Sequence, residues 1–115
     1  MVVAVSCAAC GTRNGLVILS PSGLAGPSGV FNNDIIRNTA AAGTSFTVFE
    51  TDKDSAPASF LNNDLWDTVG TLYTYQGTTA LGTTALIDST VSGAGSTLSA
   101  DPLLSGTWHI PGASP

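Results

Sequence analysis

Short runs of apolar residues alternate with clusters of glycine, proline, serine and asparagine along the whole chain. β-branched and aromatic residues are frequent in these runs, whereas the strong helix formers Lys, Glu and Gln are scarce. No window has the 3.6-residue apolar period of an amphipathic helix, and short β-prone runs between turn residues are typical of strands. We therefore predict an all-β fold without helices.

The apolar pattern repeats. Segment 16–38 aligns without a gap on segment 46–68, which is an offset of 30 residues, and apolar residues fall on apolar residues throughout. The alignment places Leu16 on Phe46 and Ile36 on Trp66. A period of this length predicts units that cannot bury their own apolar face and that stack on their neighbours. The predicted strands lie, in equivalent pairs, at 16–19 and 46–49, at 30–31 and 60–61, and at 35–36 and 65–66.

The repeated polar triplet predicts a corner between two strands. It consists of Asn32, Asn33 and Asp34 in the first unit and of Asn62, Asn63 and Asp64 in the second. Asn and Asp tolerate the left-handed backbone region and bond to nearby backbone groups, so they turn the chain. Stacked asparagines also form hydrogen-bonded ladders. We therefore assign these six residues a structural role and not a chemical one.

The remainder of the chain departs from the repeat. Residues 77–86 contain Gly-Thr-Thr-Ala-Leu twice in succession, which predicts a loop or an irregular turn. Residues 92–99 are rich in Gly and Ser and predict a flexible crossing. A last short strand is expected at 107–110.

Charge excludes some classes of partner. Three basic residues stand against eight acidic ones, and the formal net charge is −5. A nucleic-acid-binding protein needs a basic stripe that neutralises phosphates, so we expect no nucleic-acid partner and no anionic membrane surface. No run approaches the ~20 apolar residues of a membrane span. The first residues lack the basic n-region of a secretion signal.

Two cysteines and one histidine are candidates for metal or redox chemistry. Cys7 and Cys10 form a Cys-x-x-Cys pair, and His109 is far away in the sequence. A zinc site wants four ligands, and a redox motif wants a strand–motif–helix context. We interpret the cysteines as small structural residues, whose pairing stays open, and His109 as an edge residue without a catalytic partner.

Three carboxylates alternate along one short stretch. Glu50, Asp52 and Asp54 would share one side of an extended chain and offer oxygen ligands to Ca²⁺. An exposed acidic loop is the alternative. It is favoured because Ca²⁺ wants six to eight ligands and because Lys53 lies among the carboxylates. Calcium is the one cofactor for which we find candidate ligands.

Three aromatic residues are candidates for contact with a sugar, since aromatic faces pack on apolar faces of sugar rings. Tyr73 and Tyr75 share one face of a strand and are predicted as an outward pair. Trp66 is the third candidate, although its alignment with Ile36 also fits a core position. Ordinary packing is the favoured interpretation for all three residues, and sugar contact is the alternative.

Together, the Asn-rich corners and the closing residues resemble a known family. Asn-Asn-Asp-Ile-Ile-Arg-Asn at 32–38, Ser99-Ala-Asp-Pro-Leu-Leu and the ending Trp108-His-Ile-Pro-Gly-Ala-Ser-Pro are similar to the final coils of bacterial, pectate-lyase-like, right-handed parallel β-helix proteins. The resemblance implies a single-stranded solenoid of three to four coils over residues 1–115. Segment 99–115 would close it, and further coils would lie upstream in a longer protein.

The resemblance carries a functional expectation and no catalytic residues. We expect a scaffold module of a secreted or cell-surface protein that contacts polysaccharide. One alternative is the C-terminal part of a polysaccharide lyase or glycoside hydrolase whose catalytic coils lie upstream. Another is a structural or adhesive protein whose open coil ends stack between chains, because bare strand edges promote self-association. Cleaving members of the family carry an acidic and basic groove, and no such cluster can be carried over to this chain.

Overall fold

The computed structural model describes residues 2–5, 13–19, 29–39, 45–68 and 71–103. Ten strands, one short 3-10 helix and one α-helix lie in this part of the chain. The strands are β1 (Val2–Val5), β2 (Arg13–Ile18), β3 (Val30–Asn32), β4 (Ile35–Asn38), β5 (Ser45–Glu50), β6 (Ser59–Leu61), β7 (Asp64–Asp67), β8 (Thr71–Tyr75), β9 (Thr79–Leu81) and β10 (Ala94–Gly95). The 3-10 helix is Lys53–Ser55 and the α-helix, α1, is Thr84–Thr90. The prediction of a β-rich fold is confirmed.

Three sheets share the strands in a repeating order. Sheet 1 has the order β1-β4-β7, sheet 2 has the order β2-β5-β8-β9, and sheet 3 has the order β3-β6-β10. The chain therefore passes from sheet 1 to sheet 2 to sheet 3 and then returns to sheet 1 beside its own earlier strand. All strand pairs are parallel except β8 with β9. Parallel neighbours need a long connection between them, and here that connection runs through the other two sheets.

The core lies between the sheets, and α1, which contacts β9 and β10, contributes to it. Phe60 from sheet 3 meets Tyr73 from sheet 2 in an edge-to-face contact with ring centroids 5.5 Å apart. Such pairs stabilise a core beyond the area that they bury. The buried apolar residues are Ile18, Ile36, Val48, Phe60, Leu65, Tyr73, Leu81, Ile87 and Val91. They come from all three sheets and from α1 with the residue that follows it.

The strand register differs from the ungapped alignment. Ile36 lies opposite Leu65, and Arg37 lies opposite Trp66, so the predicted pairing of Ile36 with Trp66 is wrong by one residue. In sheet 2, Leu16 lies opposite Val48 and not Phe46. Side chains alternate between the two faces of a strand, so a shift of one residue moves a side chain to the other face. With the observed register, Ile36 and Leu65 are both fully buried.

The predicted absence of helix is wrong at α1. Residues 77–86, expected as a loop, contain β9 and the start of this helix. Its N-cap residue Thr83 accepts a hydrogen bond from the backbone N–H of Leu86 at 3.3 Å, and Ile87 is fully buried. The N-cap and the packing of Ile87 stabilise this short helix, so it forms without the long amphipathic pattern by which helices are predicted from sequence.

The Gly- and Ser-rich segment 92–99 is also more regular than expected. It contains β10, which pairs with β6, and Leu98, which forms a single parallel bridge with Asp64. Gly93 supplies a positive φ of 78° before β10. Segment 99–115 is described only as far as residue 103, so the predicted strand at 107–110 lies outside the described residues.

Gly15 in β2 lies close to Ile36 of sheet 1 and to the backbone of β5, and its substitution tests how tightly sheets 1 and 2 pack. A Cβ atom on Gly15 would lie 2.7 Å from Cγ2 of Ile36 and 2.7 Å from the backbone oxygen of Thr47. We expect Gly15→Ala to lower the free energy of unfolding by about 1–3 kcal/mol, because the backbone oxygen belongs to the paired strand β5 and cannot move aside. Chemical denaturation followed by far-UV circular dichroism measures this loss.

Gly82→Ala is the matched control, because a Cβ atom there meets no atom within 4 Å. We expect its unfolding free energy to stay within about 0.5 kcal/mol of the parent. Equal stability of the two variants would contradict the close approach of Gly15 to sheet 1.

Candidate functional site

The Asn-rich corner joins successive passes of the chain. Asn33 and Asn62 have φ values of 58° and 55°, which place both in the left-handed region. The backbone N–H of Asn33 donates to the carbonyl of Leu61 at 2.9 Å, and the Asn62 amide nitrogen lies 3.4 Å from the Asn33 side-chain oxygen. The two corners therefore stack with Asn33 beside Asn62.

Asn63 is the buried member of the corner. It is fully buried, its Oδ1 accepts from the backbone N–H of Asp34 at 2.9 Å, and its Nδ2 donates to the carbonyl of Phe31 at 2.8 Å. One side chain thus satisfies two backbone groups of the preceding pass. Asn32 acts similarly, since its Oδ1 accepts from the backbone N–H of Leu61 at 2.8 Å.

The same bonding continues into the next pass without asparagine. Ser96 has a φ of 56°, and the backbone N–H of Asn62 donates to the carbonyl of Gly95 at 3.0 Å. Asp64 then accepts the backbone N–H of Ala100 on its Oδ1 at 3.0 Å. The corner is therefore a structural feature of three consecutive passes, and only its first two members show the Asn-Asn-Asp sequence.

The outer face of sheet 1 carries a polar and aromatic group. Ile36 and Leu65 face the core, so their neighbours Arg37 and Trp66 lie side by side on the opposite face. Arg37 is partly buried, and its Nε lies 3.4 Å from Oδ1 of Asp101. The indole Nε1 of Trp66 is buried and has no hydrogen-bond partner in the described part of the chain. We call Arg37, Trp66 and Asp101 the outer cluster.

Tyr73 does not form the outward pair predicted with Tyr75. Its side chain is 0% exposed, and its hydroxyl donates to Oε2 of Glu50 at 2.7 Å. Tyr75 is partly buried, packs against the core, and its hydroxyl accepts from Nε2 of Gln76 at 2.8 Å. Both rings point inward because β9 and α1 continue the core beyond β8. The outward pair is therefore wrong and the favoured ordinary packing describes both tyrosines. Trp66 alone of the three aromatic candidates lies on an outer face.

Glu50 is a carboxyl group inside the core. It is 0% exposed, and its Oε1 has no hydrogen-bond partner among the described residues. Burial raises the pKa of Glu50, and the nearby Asp52 raises it further, whereas hydrogen bonds from Tyr73 and from the backbone of Gln76 lower it. Burial also raises the pKa of Tyr73, as does its bond to Glu50. Desolvation of the charged forms is the main cause in both cases.

The predicted carboxylate group for Ca²⁺ is not assembled. Glu50 is buried, whereas Asp52 caps the 3-10 helix by accepting from the backbone N–H of Asp54 at 2.9 Å. Asp54 pairs with Lys53 at 2.8 Å. Within the described ranges no three His, Cys, Asp or Glu side chains are grouped as metal ligands. The three carboxylates do not share one side because the chain turns into a 3-10 helix after Glu50.

Two of these groups are not evident from the sequence pattern. Arg37 and Asp101 are distant in the sequence and adjacent in space, so the pattern does not connect them. The pattern also placed Glu50 on the surface. The signal available for Glu50 was its position at the end of an apolar run, where the inward alternation of β5 continues. Cys7, Cys10 and His109 lie outside the described residues.

Comparison with known proteins finds no matching family model, no matching curated protein and no matching solved structure. In the part of the chain that the structure describes, no helix has the length and apolar character needed to cross a membrane.

The buried corner amide yields a second prediction. Asn63→Ala leaves the backbone N–H of Asp34 and the carbonyl of Phe31 without their buried partner. Each unsatisfied buried group costs about 1–3 kcal/mol, so the two groups together predict a loss of about 2–6 kcal/mol in unfolding free energy. Urea denaturation measures the loss.

Asn62→Gly serves as the control at the adjacent position. Glycine suits the left-handed φ, and the only side-chain bond removed is the exposed one of 3.4 Å, so a change below about 1 kcal/mol is expected. If the Asn62 variant lost as much stability as the Asn63 variant, the buried amide would not be the group that joins the passes.

Proposed function

We propose that the chain is a right-handed parallel β-helix that acts as a scaffold module of a secreted or cell-surface protein and that contacts polysaccharide through the outer cluster. The observation that carries the proposal is the strand order. Each sheet takes one strand from each successive pass of the chain, and the strands within a sheet run parallel until β9 turns back. A solenoid needs this arrangement, whereas a two-sheet sandwich is typically built from antiparallel strands.

The stacked corners support the same proposal. Equivalent left-handed residues and equivalent backbone bonds recur in three passes, at Asn33, Asn62 and Ser96. Because each unit contacts only its neighbours, a scaffold of this kind can be lengthened without redesign of its core. Its outer faces are then available for binding.

Polysaccharide is the partner that the outer cluster fits. Trp66 offers a half-buried aromatic surface, and Arg37 and Asp101 flank it with donors and acceptors. An apolar face beside a few fixed polar groups matches the alternating faces and hydroxyls of a sugar ring. The two basic side chains that the structure describes, Arg37 and Lys53, are both paired with carboxylates, so the chemistry favours a neutral polysaccharide over a polyuronate.

Duplication of one pass tests the scaffold. Residues 33–61, which make one pass in the observed register, are repeated between Leu61 and Asn62, so that the new junction joins Leu61 to Asn33, the residue equivalent to Asn62. A solenoid accepts one more pass, so we expect cooperative unfolding, unchanged or higher stability, and a particle longer by about 4.8 Å per added pass. Small-angle X-ray scattering and thermal denaturation measure length and stability.

Duplication of residues 45–61 alone is the control, because it adds only part of a pass and cannot return the chain to sheet 1 in register. We expect this variant to lose cooperative unfolding. If both insertions behaved alike, or if the full duplication abolished folding, the solenoid would be excluded.

Trp66→Ala tests the polysaccharide contact. Affinity electrophoresis of the parent chain through gels that contain soluble xylan or polygalacturonate should show retardation by xylan. The Trp66→Ala variant should bind at least about tenfold more weakly, which corresponds to about 1.4 kcal/mol. Trp66→Phe keeps the apolar surface and should retain part of the binding if the first variant folds poorly.

Leu86→Ala, at an exposed position on α1, is the control and should bind as the parent does. Absence of retardation in both gels would contradict polysaccharide binding. Equal retardation of the Trp66→Ala variant and the parent would contradict the outer cluster as its site.

A further inference from the structure

The Glu50–Tyr73 pair connects two passes of the chain inside the core. Glu50 ends β5, and Tyr73 lies in β8, which pairs with β5 in parallel. Their side chains are joined at 2.7 Å, and both are 0% exposed. The backbone carbonyl of Glu50 also accepts from the N–H of Gly77 at 2.7 Å. Glu50 therefore holds both β8 and the β8–β9 turn.

Few charged or titratable groups face Glu50 from the elements packed around it. Tyr73 and Tyr75 stand on β8, Asp52 follows β5, and β2 offers the apolar Ile18 opposite Glu50. The charged groups of β4 and β7 have partners elsewhere: Arg37 is paired with Asp101, Asp64 accepts from Ala100, and Asp67 accepts from Thr47. No described ion pair includes Glu50. A negative charge on Glu50 would therefore have no cationic partner among the described residues.

We propose that the buried carboxyl of Glu50 is a pH-sensitive latch, which holds the β8–β9 hairpin closed when Glu50 is protonated and loosens it when Glu50 ionises. As a carboxylate, Glu50 would place a desolvated charge in the core with Oε1 unpartnered. The neutral acid still accepts the Tyr73 hydroxyl and carries no charge into the core. An uncharged group without one hydrogen bond costs far less than an unsolvated charge.

The sign of the pH dependence follows from the direction of the shift. The pKa of folded Glu50 is raised above its ordinary value of 4.5, so the folded state binds a proton more tightly than the unfolded state. Stability contributed by this proton is complete below pH 4.5 and is lost as the pH rises through the folded pKa. Each unit of difference between the two pKa values lowers the ratio of folded to unfolded protein about tenfold.

Denaturation midpoints between pH 4.5 and pH 8 test the latch. Glu50→Gln imitates the neutral acid, so the parent should lose stability relative to this variant as the pH rises. The comparison removes the general repulsion within a chain of net charge −5, which both proteins share. The pH-corrected exchange rate of the Gly77 amide should rise with pH in the parent and stay level in Glu50→Gln.

Tyr73→Phe separates a latch from mere packing. The Tyr73 hydrogen bond favours ionised Glu50, so its loss raises the pKa of Glu50 further and should steepen the loss of stability with pH. A purely structural role would lower stability by the same factor at every pH. Asp54→Asn is the control, and its curve should run parallel to that of the parent.

Parallel pH curves for the parent and Glu50→Gln would overturn the proposal. So would a parent chain that gained stability relative to Glu50→Gln between pH 4.5 and pH 8. If Glu50→Gln failed to fold, the Gly77 exchange rates of the parent and of Tyr73→Phe would still decide, since the latch requires both to rise with pH and the second to rise more.

Discussion

The backbone N–H and C=O groups at the corner between sheet 3 and sheet 1 need hydrogen-bond partners, and the rest of the structure depends on this constraint. The chain turns there in every described pass, and a turn next to a core exposes backbone donors and acceptors to a region without water. Asn63 resolves this for two groups at once, at Asp34 and at Phe31, while Asn33 and Asn62 take the left-handed conformation. The corner fixes where each strand of sheet 1 begins. It therefore fixes which side chains of β4 and β7 face the core.

The corner explains why a polar chain with few charges can hold a core. Ile36 and Leu65 face inward only in the register that the corner imposes. The interior is partly polar, and its hydrogen bonds depend on the same register. They involve the buried side chains of Asn38, Thr47 and Glu50. Buried polar groups cost little when they are bonded and much when they are not. Glu50 is only partly compensated, because its Oε1 lacks a partner among the described residues. This buried carboxyl lies where sheet 2 changes from parallel pairing to the antiparallel β8–β9 hairpin.

Sequence periodicity predicted the strands and the corner, and it failed where tertiary contacts decide. The strands around Ile18, Ile36, Val48, Phe60 and Leu65 follow from short β-prone runs, and the turn follows from the chemistry of Asn. An ungapped alignment superimposes the two Asn-Asn-Asp triplets and cannot detect that the paired strands are shifted by one residue. Trp66 was therefore aligned with Ile36, although it lies beside Arg37. Helix α1 escaped prediction because packing of Ile87 holds it. The two-residue alternation of a strand shows that Tyr73 and Tyr75 share a face, but it does not show which face. The outward orientation considered for them was therefore open to error.

The outer cluster depends on the same register as the core. Arg37 and Trp66 are neighbours on the outer face because Ile36 and Leu65 are neighbours on the inner one, and the segment that follows Leu98 brings Asp101 to the same place by continuing beside β7. A shift of one residue would bury Trp66 and turn Leu65 outward. The outer face of a sheet is the reverse side of its core pattern, so the position of Trp66 is set by buried packing and not by a loop. A loop would place Arg37, Trp66 and Asp101 less accurately, since each would then depend on its own backbone freedom.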